Sequence, residues 1–214
     1  MDEDFELLVK ALPPHEPRVY PSPDQIAPYE GKLPGLLLRY WQEHGWGAFG
    51  QGLFWLVNPA EFTNALQAWC EHVVAIEDAY VIGRSAFGEL IVWKKGHGKF
   101  MQVVPLEHTI YTYPPNKYVK AGKEDFSLGG FISQIDQDML DFEDEGEKPL
   151  FKRAVKKLGI VAPGEMYAFE PALSLGGTAQ LSSLVKVKLE EHLHFLAQLG
   201  ETQIVHIDTS RFVS

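Results

Sequence analysis

Residues 43–59 read EHGWGAFGQGLFWLVNP, and inside them Gly45 to Gly50 spell G-x-G-x-x-G letter for letter. That is the dinucleotide-binding fingerprint. It works only where a strand runs into the glycines and a helix leaves them, because the pyrophosphate sits on that helix's N-terminus. Here the order is reversed. Residues 33–44 have helix periodicity, with Leu37, Tyr40, Trp41 and His44 at three- and four-residue spacing, Pro34 near the start and Gly45 as the stop. The run that follows, residues 52–57 (GLFWLV), is short and apolar and predicts a buried strand. The stretch therefore predicts helix, tight turn and strand, the turn folding Trp46 and Phe49 onto a sheet, and it argues against nicotinamide or flavin binding.

The pattern extends in both directions. Residues 1–10 predict a first helix, and the proline-rich residues 13–28 (PPHEPRVYPSPDQIAP) an extended surface loop. Asn58, Pro59 and Glu61 form a capping-box start for a helix whose apolar face is Phe62, Leu66, Trp69, Cys70 and Val73. Residues 73–113 change to strands (VVAIEDAYVIGR, GELIVWKKGHGKFMQVVPL, TIYTY), with a hairpin turn at residues 94–98. Residues 127–142 predict a helix with Phe131, Ile135 and Met139 inward. An acidic linker follows at 143–148, then a helix at 149–158 stopped by Gly159. Residues 166–173 look strand-like. Residues 181–199 predict the longest helix, with Leu181, Leu184, Leu189, Leu193 and Leu196 on one stripe, and residues 203–208 a final strand. The fold class is α+β: a mainly antiparallel sheet flanked by helices, with a C-terminal helical section packed on it.

Composition narrows the function. In 214 residues, 45% hydrophobic content is enough for a sizeable core in one large domain or two interlocked ones. The formal net charge of −10 disfavours holding phosphates or nucleic acid by charge and suits either simple solubility or a basic partner. Cys70 is the single cysteine, so no intrachain disulfide forms. The N-terminus MDEDFELLVK is acidic where a signal peptide would be basic, and no segment approaches the ~18 apolar residues of a membrane helix. A cytoplasmic protein is the expectation.

Short motifs offer little chemistry. Residues 83–88 (GRSAFG) are one residue too long for a nucleophile elbow and lie between strands, which reads as a hairpin loop with Gly88 as a bulge. The eight histidines are scattered; His192 and His194 are two apart on a predicted helix and face different sides, and His72 follows Cys70 with no second cluster in sequence. Ser182 and Ser183 ahead of Lys186 and Lys188 read as a helix start and a solvated face. The charge pattern says more: Asp136, Asp138, Asp141, Glu143, Asp144, Glu145 and Glu147 fall within twelve residues that hold no lysine or arginine. This is either a solvated helix end and linker or a docking surface for a basic protein, with Phe126 and Phe142 as apolar anchors beside it; its spacing is not that of an EF-hand.

Two longer stretches resemble known families. Residues 33–62 (LPGLLLRYWQEHGWGAFGQGLFWLVNPAEF), continued by Phe87-Gly88-Glu89-Leu90 and Trp93, resemble the bacterial GAD-like domain. Residues 150–200 resemble the DUF1851 domain in the Leu-Phe helix, Leu158-Gly159, residues 164–169 (GEMYAF), Pro171-Ala172-Leu173, Gly176-Gly177 and the His192-Leu193 helix. The two in this order resemble the Tdi1-type immunity proteins of type VI secretion DNase effectors. The resemblance implies a GAD-like section at residues 1–147 and a DUF1851 section at 148–214 in one compact unit. It implies a non-catalytic cytoplasmic protein that binds a cognate toxin nuclease and blocks DNA cleavage, with no cofactor, no metal, no nucleic acid and no membrane. Trp46, Gly47, Phe49, Gly52, Trp55, Asn58, Pro59, Phe169, Pro171, Gly176, Gly177 and His192 carry the family pattern and read as fold residues. The toxin-binding candidates are the acidic residues named above with Phe142. A hydrolase using a histidine and a carboxylate brought together by the fold, and a nucleic-acid accessory module, are the rival readings.

Overall fold

The computed structural model describes residues 2–71 and 73–208; Met1, His72 and residues 209–214 lie outside that description. The first helix, α1 (Glu3–Ala11), starts at Asp2, whose Oδ1 accepts from the Phe5 N–H at 3.0 Å, and buries Phe5 and Leu8. The proline-rich segment then departs from the expected loop. Residues 14–19 form β1 (Pro14–Val19), antiparallel to β2 (Trp46–Phe49). An edge strand tolerates Pro14 and Pro17 because its outer N–H groups face no partner. A one-turn helix, α2 (Pro23–Ile26), and the expected helix, α3 (Gly35–His44), come between the two strands.

The glycine stretch is helix and strand with no intervening loop. Gly45 ends α3 at φ +70°, and a Cβ there would stand 2.8 Å from the Val19 carbonyl oxygen, so glycine alone lets the chain turn straight into β2. Trp46 and Phe49, expected in a turn against the sheet, are in the sheet itself; their four-residue strand is too short to show a period. The tight turn comes later, at Gly50–Gly52, and leads into β3 (Phe54–Leu56). Helix α4 (Thr63–Cys70) follows a single 3-10 turn at Pro59–Phe62, where the Asn58 Oδ1 accepts from the Ala60 N–H at 3.2 Å. Val73, expected on the buried face, lies beyond the helix and is exposed.

The strand-rich region is as expected: β4 (Ala79–Ser85), β5 (Leu90–Lys94), β6 (Gly98–Val104) and β7 (Thr109–Thr112) form a meander. After the one-turn α5 (Lys117–Lys120), the single helix expected at 127–142 is two, α6 (Glu124–Ile132) and α7 (Gln137–Leu140). The break is made by Asp136, whose carboxylate caps α7 through the Met139 N–H at 2.9 Å. Helix α8 (Phe151–Leu158) leads to β8 (Glu165–Phe169). The expected helix at 181–199 is also divided: β9 (Leu184–Lys188) pairs with β8, and only α9 (Leu189–Ala197) is helical. Val185 and Val187 alternate with Lys186 and Lys188, the period of a half-buried strand, and pairing with β8 selects it over the leucine stripe.

The main sheet has eight strands in the order β1-β2-β3-β4-β5-β6-β7-β10, antiparallel throughout except for β10 (Gln203–His206), which runs parallel to β7. The C-terminal section thus supplies a strand as well as a covering layer. It is also tied in by the Tyr167 N–H donating to the Ala86 carbonyl at 2.9 Å and the Trp69 indole N–H donating to the Leu193 carbonyl at 3.1 Å. Trp41, Trp69 and Trp93 are among the largest fully buried side chains. No described helix is long and apolar enough to cross a membrane.

Candidate functional site

The acidic stretch runs from the end of α6 through α7 to the start of α8, and its carboxylates have two kinds of environment. Asp141 Oδ1 accepts from the backbone N–H groups of Phe142 (2.8 Å), Leu150 (3.0 Å) and Phe151 (2.7 Å), while Oδ2 accepts from the Gln137 side chain (3.1 Å). It thereby caps α8 and closes residues 141–151 into one loop. Asp144 accepts from Gly146 and Lys148 N–H groups and pairs with the Arg153 guanidinium at 2.7 Å, which holds its carboxyl below the usual carboxylate range. Glu145 Oε2 accepts from the Gln180 amide at 2.8 Å. In contrast, Asp138, Glu143 and Glu147 are exposed and make no side-chain hydrogen bond or ion pair among the described residues. Phe142, placed with the anchors by sequence, packs half-buried against Phe87 and Phe169 at ring distances of 5.8 and 5.5 Å. Phe126 is the apolar group that reaches solvent, at 63% exposure.

The twelve pattern residues sit mainly in the interior. Trp55 is buried with its indole N–H donating to the Gly52 carbonyl at 2.8 Å and the Arg84 guanidinium 4.3 Å over its ring. Phe49 lies under the Arg18 guanidinium at the same distance, and Gly47 leaves room for the Arg18 side chain, 3.0 Å from where a Cβ would stand. Trp46, Pro59 and Phe169 are buried, and Asn58 caps the turn before α4. Gly177 follows Gly176 in a loop folded back on Pro171; a Cβ at Gly177 would stand 1.9 Å from the Pro171 carbonyl oxygen, so no other residue fits. His192 is half-buried beside Phe195, and burial pushes its pKa down.

Sequence reasoning passed over the buried polar residues of the sheet. Arg84 is 1% exposed and donates to the carbonyls of Ser85 (3.1 Å) and Pro163 (2.8 Å), joining β4 to the loop before β8. Ser85, considered as an elbow serine, accepts from the Phe87 and Glu89 N–H groups with Oγ and holds a hairpin loop. Glu89, Gln102, Lys99 and Tyr113 form a hydrogen-bonded chain: the Gln102 amide donates to Glu89 at 3.0 Å, and Lys99 Nζ donates to Gln102 and Tyr113 at 3.1 Å each. A charged residue inside an apolar strand, as in VIGR and GELIVW, is the signal that could have found them.

Five surface clefts of about 230 to 800 Å³ are lined without a histidine, and among the described residues no three His, Cys, Asp or Glu side chains are grouped to hold a metal ion. His72 lies outside the described residues. The fold is an α+β sheet flanked by helices, and the exposed carboxylates lie on one of its loops. Residues 3–106 match the GAD-like domain, and residues 125–200 match the C-terminal domain of the T6SS immunity protein Tdi1. The chain resembles Tdi1-type immunity proteins along both parts, and a type VI secretion immunity role is what that second domain supports. A crystal structure of Atu4351 from Agrobacterium tumefaciens has the same fold, with a TM-score of 0.87 over 97% of this chain and 94% of that one at 24% identity. A comparison with curated proteins finds no match.

Proposed function

We propose that the protein is the cytoplasmic immunity partner of a type VI secretion toxin whose activity is DNA cleavage, and that it inhibits by stoichiometric binding over the toxin's DNA-binding or catalytic cleft. The match of residues 125–200 to the Tdi1 C-terminal domain carries this reading. Residues 1–147 and 148–214 act in it as two sections of one unit, sharing the sheet through β10. A nuclease cleft is built for phosphates and is therefore basic; Asp138, Glu143 and Glu147 offer it carboxylates that no cation among the described residues neutralises. Protection needs slow release. A nanomolar complex requires about 12 kcal/mol, which a standard interface of ~1,600 Å² supplies when a few anchors are well packed.

The experiment is co-expression of this chain with a candidate toxin, sought as the product of a neighbouring gene, purification, and a plasmid-cleavage assay with and without it. A stable complex with cleavage abolished at equimolar ratio is expected. No complex and undiminished cleavage would remove the immunity reading.

A further inference from the structure

One groove is built differently from the acidic stretch that borders it at α7. It runs between α5–α6 and the ends of β6 and β7, with a volume of about 800 Å³. Its walls include Tyr113, Tyr118, Phe126, Phe131 and Met139. Tyr118 and Phe126 stand edge to face with ring centres 4.7 Å apart, and both keep solvent exposure, 37% and 63%. Lys99 lies at the wall with Nζ 4.2 Å from the Tyr113 ring centre and 5.2 Å from that of Phe131. Its hydrogen-bond partners, Gln102 and Tyr113, are neutral, and it makes no ion pair among the described residues. Among the described lining residues the cations Lys99 and Lys117 outnumber the one carboxylate, Asp208, in a chain of net charge −10.

We propose that this groove is the anchor pocket of the toxin interface, taking an aromatic or aliphatic side chain of the toxin with a carboxylate of the same segment on Lys99. The proposal rests on the immunity reading. Two observations choose the occupant. Exposed aromatics around a partly desolvated cation match an apolar group that carries an acid beside it, since the carboxylate meets an ammonium with one N–H unused among the described residues. The groove is also continuous with the acidic face: Met139, on its wall, lies on α7 next to Asp138. Aromatic anchors at the centre and charges at the rim are the usual anatomy of a tight interface.

The test uses the full chain and a catalytically inactivated form of the toxin identified by the co-expression experiment, with affinity read by calorimetry and oligomeric state by sedimentation. Phe126→Ala and Tyr118→Ala remove partly exposed rings that pack on each other, so a fall in melting temperature of no more than about 2–6 °C is expected of either. Each should weaken toxin binding by about 30-fold or more, and Lys99→Gln by about 10-fold. Wild-type chain that binds tightly, with both ring variants within about twofold of it, overturns the groove and leaves immunity standing. Variants that abolish self-association without changing toxin affinity identify a second copy as the occupant and overturn it as well. Wild-type chain that fails to bind the toxin removes the immunity reading and the groove with it.

Discussion

Glu89 shows how much a single side chain can be bent by its surroundings. It is 8% exposed just ahead of β5, and burial pushes its carboxyl up to about 8 from 4.5, against the Gln102 hydrogen bond and the nearby Lys99, which act in the other direction. Glu107 adds to the rise. The native chain therefore keeps a proton that the unfolded chain releases between about 4.5 and about 8, and Glu89 makes stability fall as pH rises through that window. Lys99, pushed down to about 8 from 10.5 by burial, has the opposite effect above that window. Glu89→Gln keeps an acceptor for Gln102 and removes the titration. Its denaturant stability should exceed that of wild type at pH 8, by on the order of 2–5 kcal/mol, with the gap closing toward pH 5. Parallel stability curves across this range would contradict the assignment. Arg84 and Glu89 are legible in the sequence as charges inside apolar runs. Their partners are not, because Pro163 and Gln102 reach them only across the folded sheet.

At the scale of elements, the acidic run is one loop held by its own carboxylates as much as a charged surface. Asp141 binds three backbone N–H groups and Asp144 pairs with Arg153, so charge reversal at either would report on folding before it reported on binding. Asp141→Ala should cost about 2 kcal/mol, a fall in melting temperature of roughly 4–8 °C. Asp138→Ala, exposed and without such partners, should stay within about 0.5 kcal/mol. Equal melting temperatures for the two variants would show that the loop does not depend on Asp141. The helices α3 and α8 and the meander β4–β7 were readable because period, caps and turn residues agreed locally. The helix expected at 181–199 was not, since leucines at helical spacing coincided with Val-Lys alternation, and pairing with β8 decided between them. The proline-rich segment became β1 for the same kind of reason: its partner, β2, lies across α2 and α3 in the chain.

For the whole molecule, the net charge of −10 and the carboxylates of Asp138, Glu143 and Glu147, unpaired among the described residues, predict steered association if the partner is the basic nuclease proposed above. The association rate should fall about tenfold or more between 50 and 500 mM salt, as the screening length shortens, while dissociation changes little. A rate independent of salt in stopped-flow measurements would remove steering without touching inhibition. The sequence by itself determined the α+β class, the resemblance in both halves and the rejection of the dinucleotide fingerprint. Each of these rests on residues close together in the chain, where spacing fixes the local conformation. Tertiary structure alone decided that β10 joins the main sheet parallel to β7, that Arg84 binds the loop before β8, and which carboxylates are consumed by the fold. It also gathered Lys99, Tyr113, Tyr118 and Phe126 around one groove. Contacts of that kind join residues far apart in the chain, and no local pattern records them.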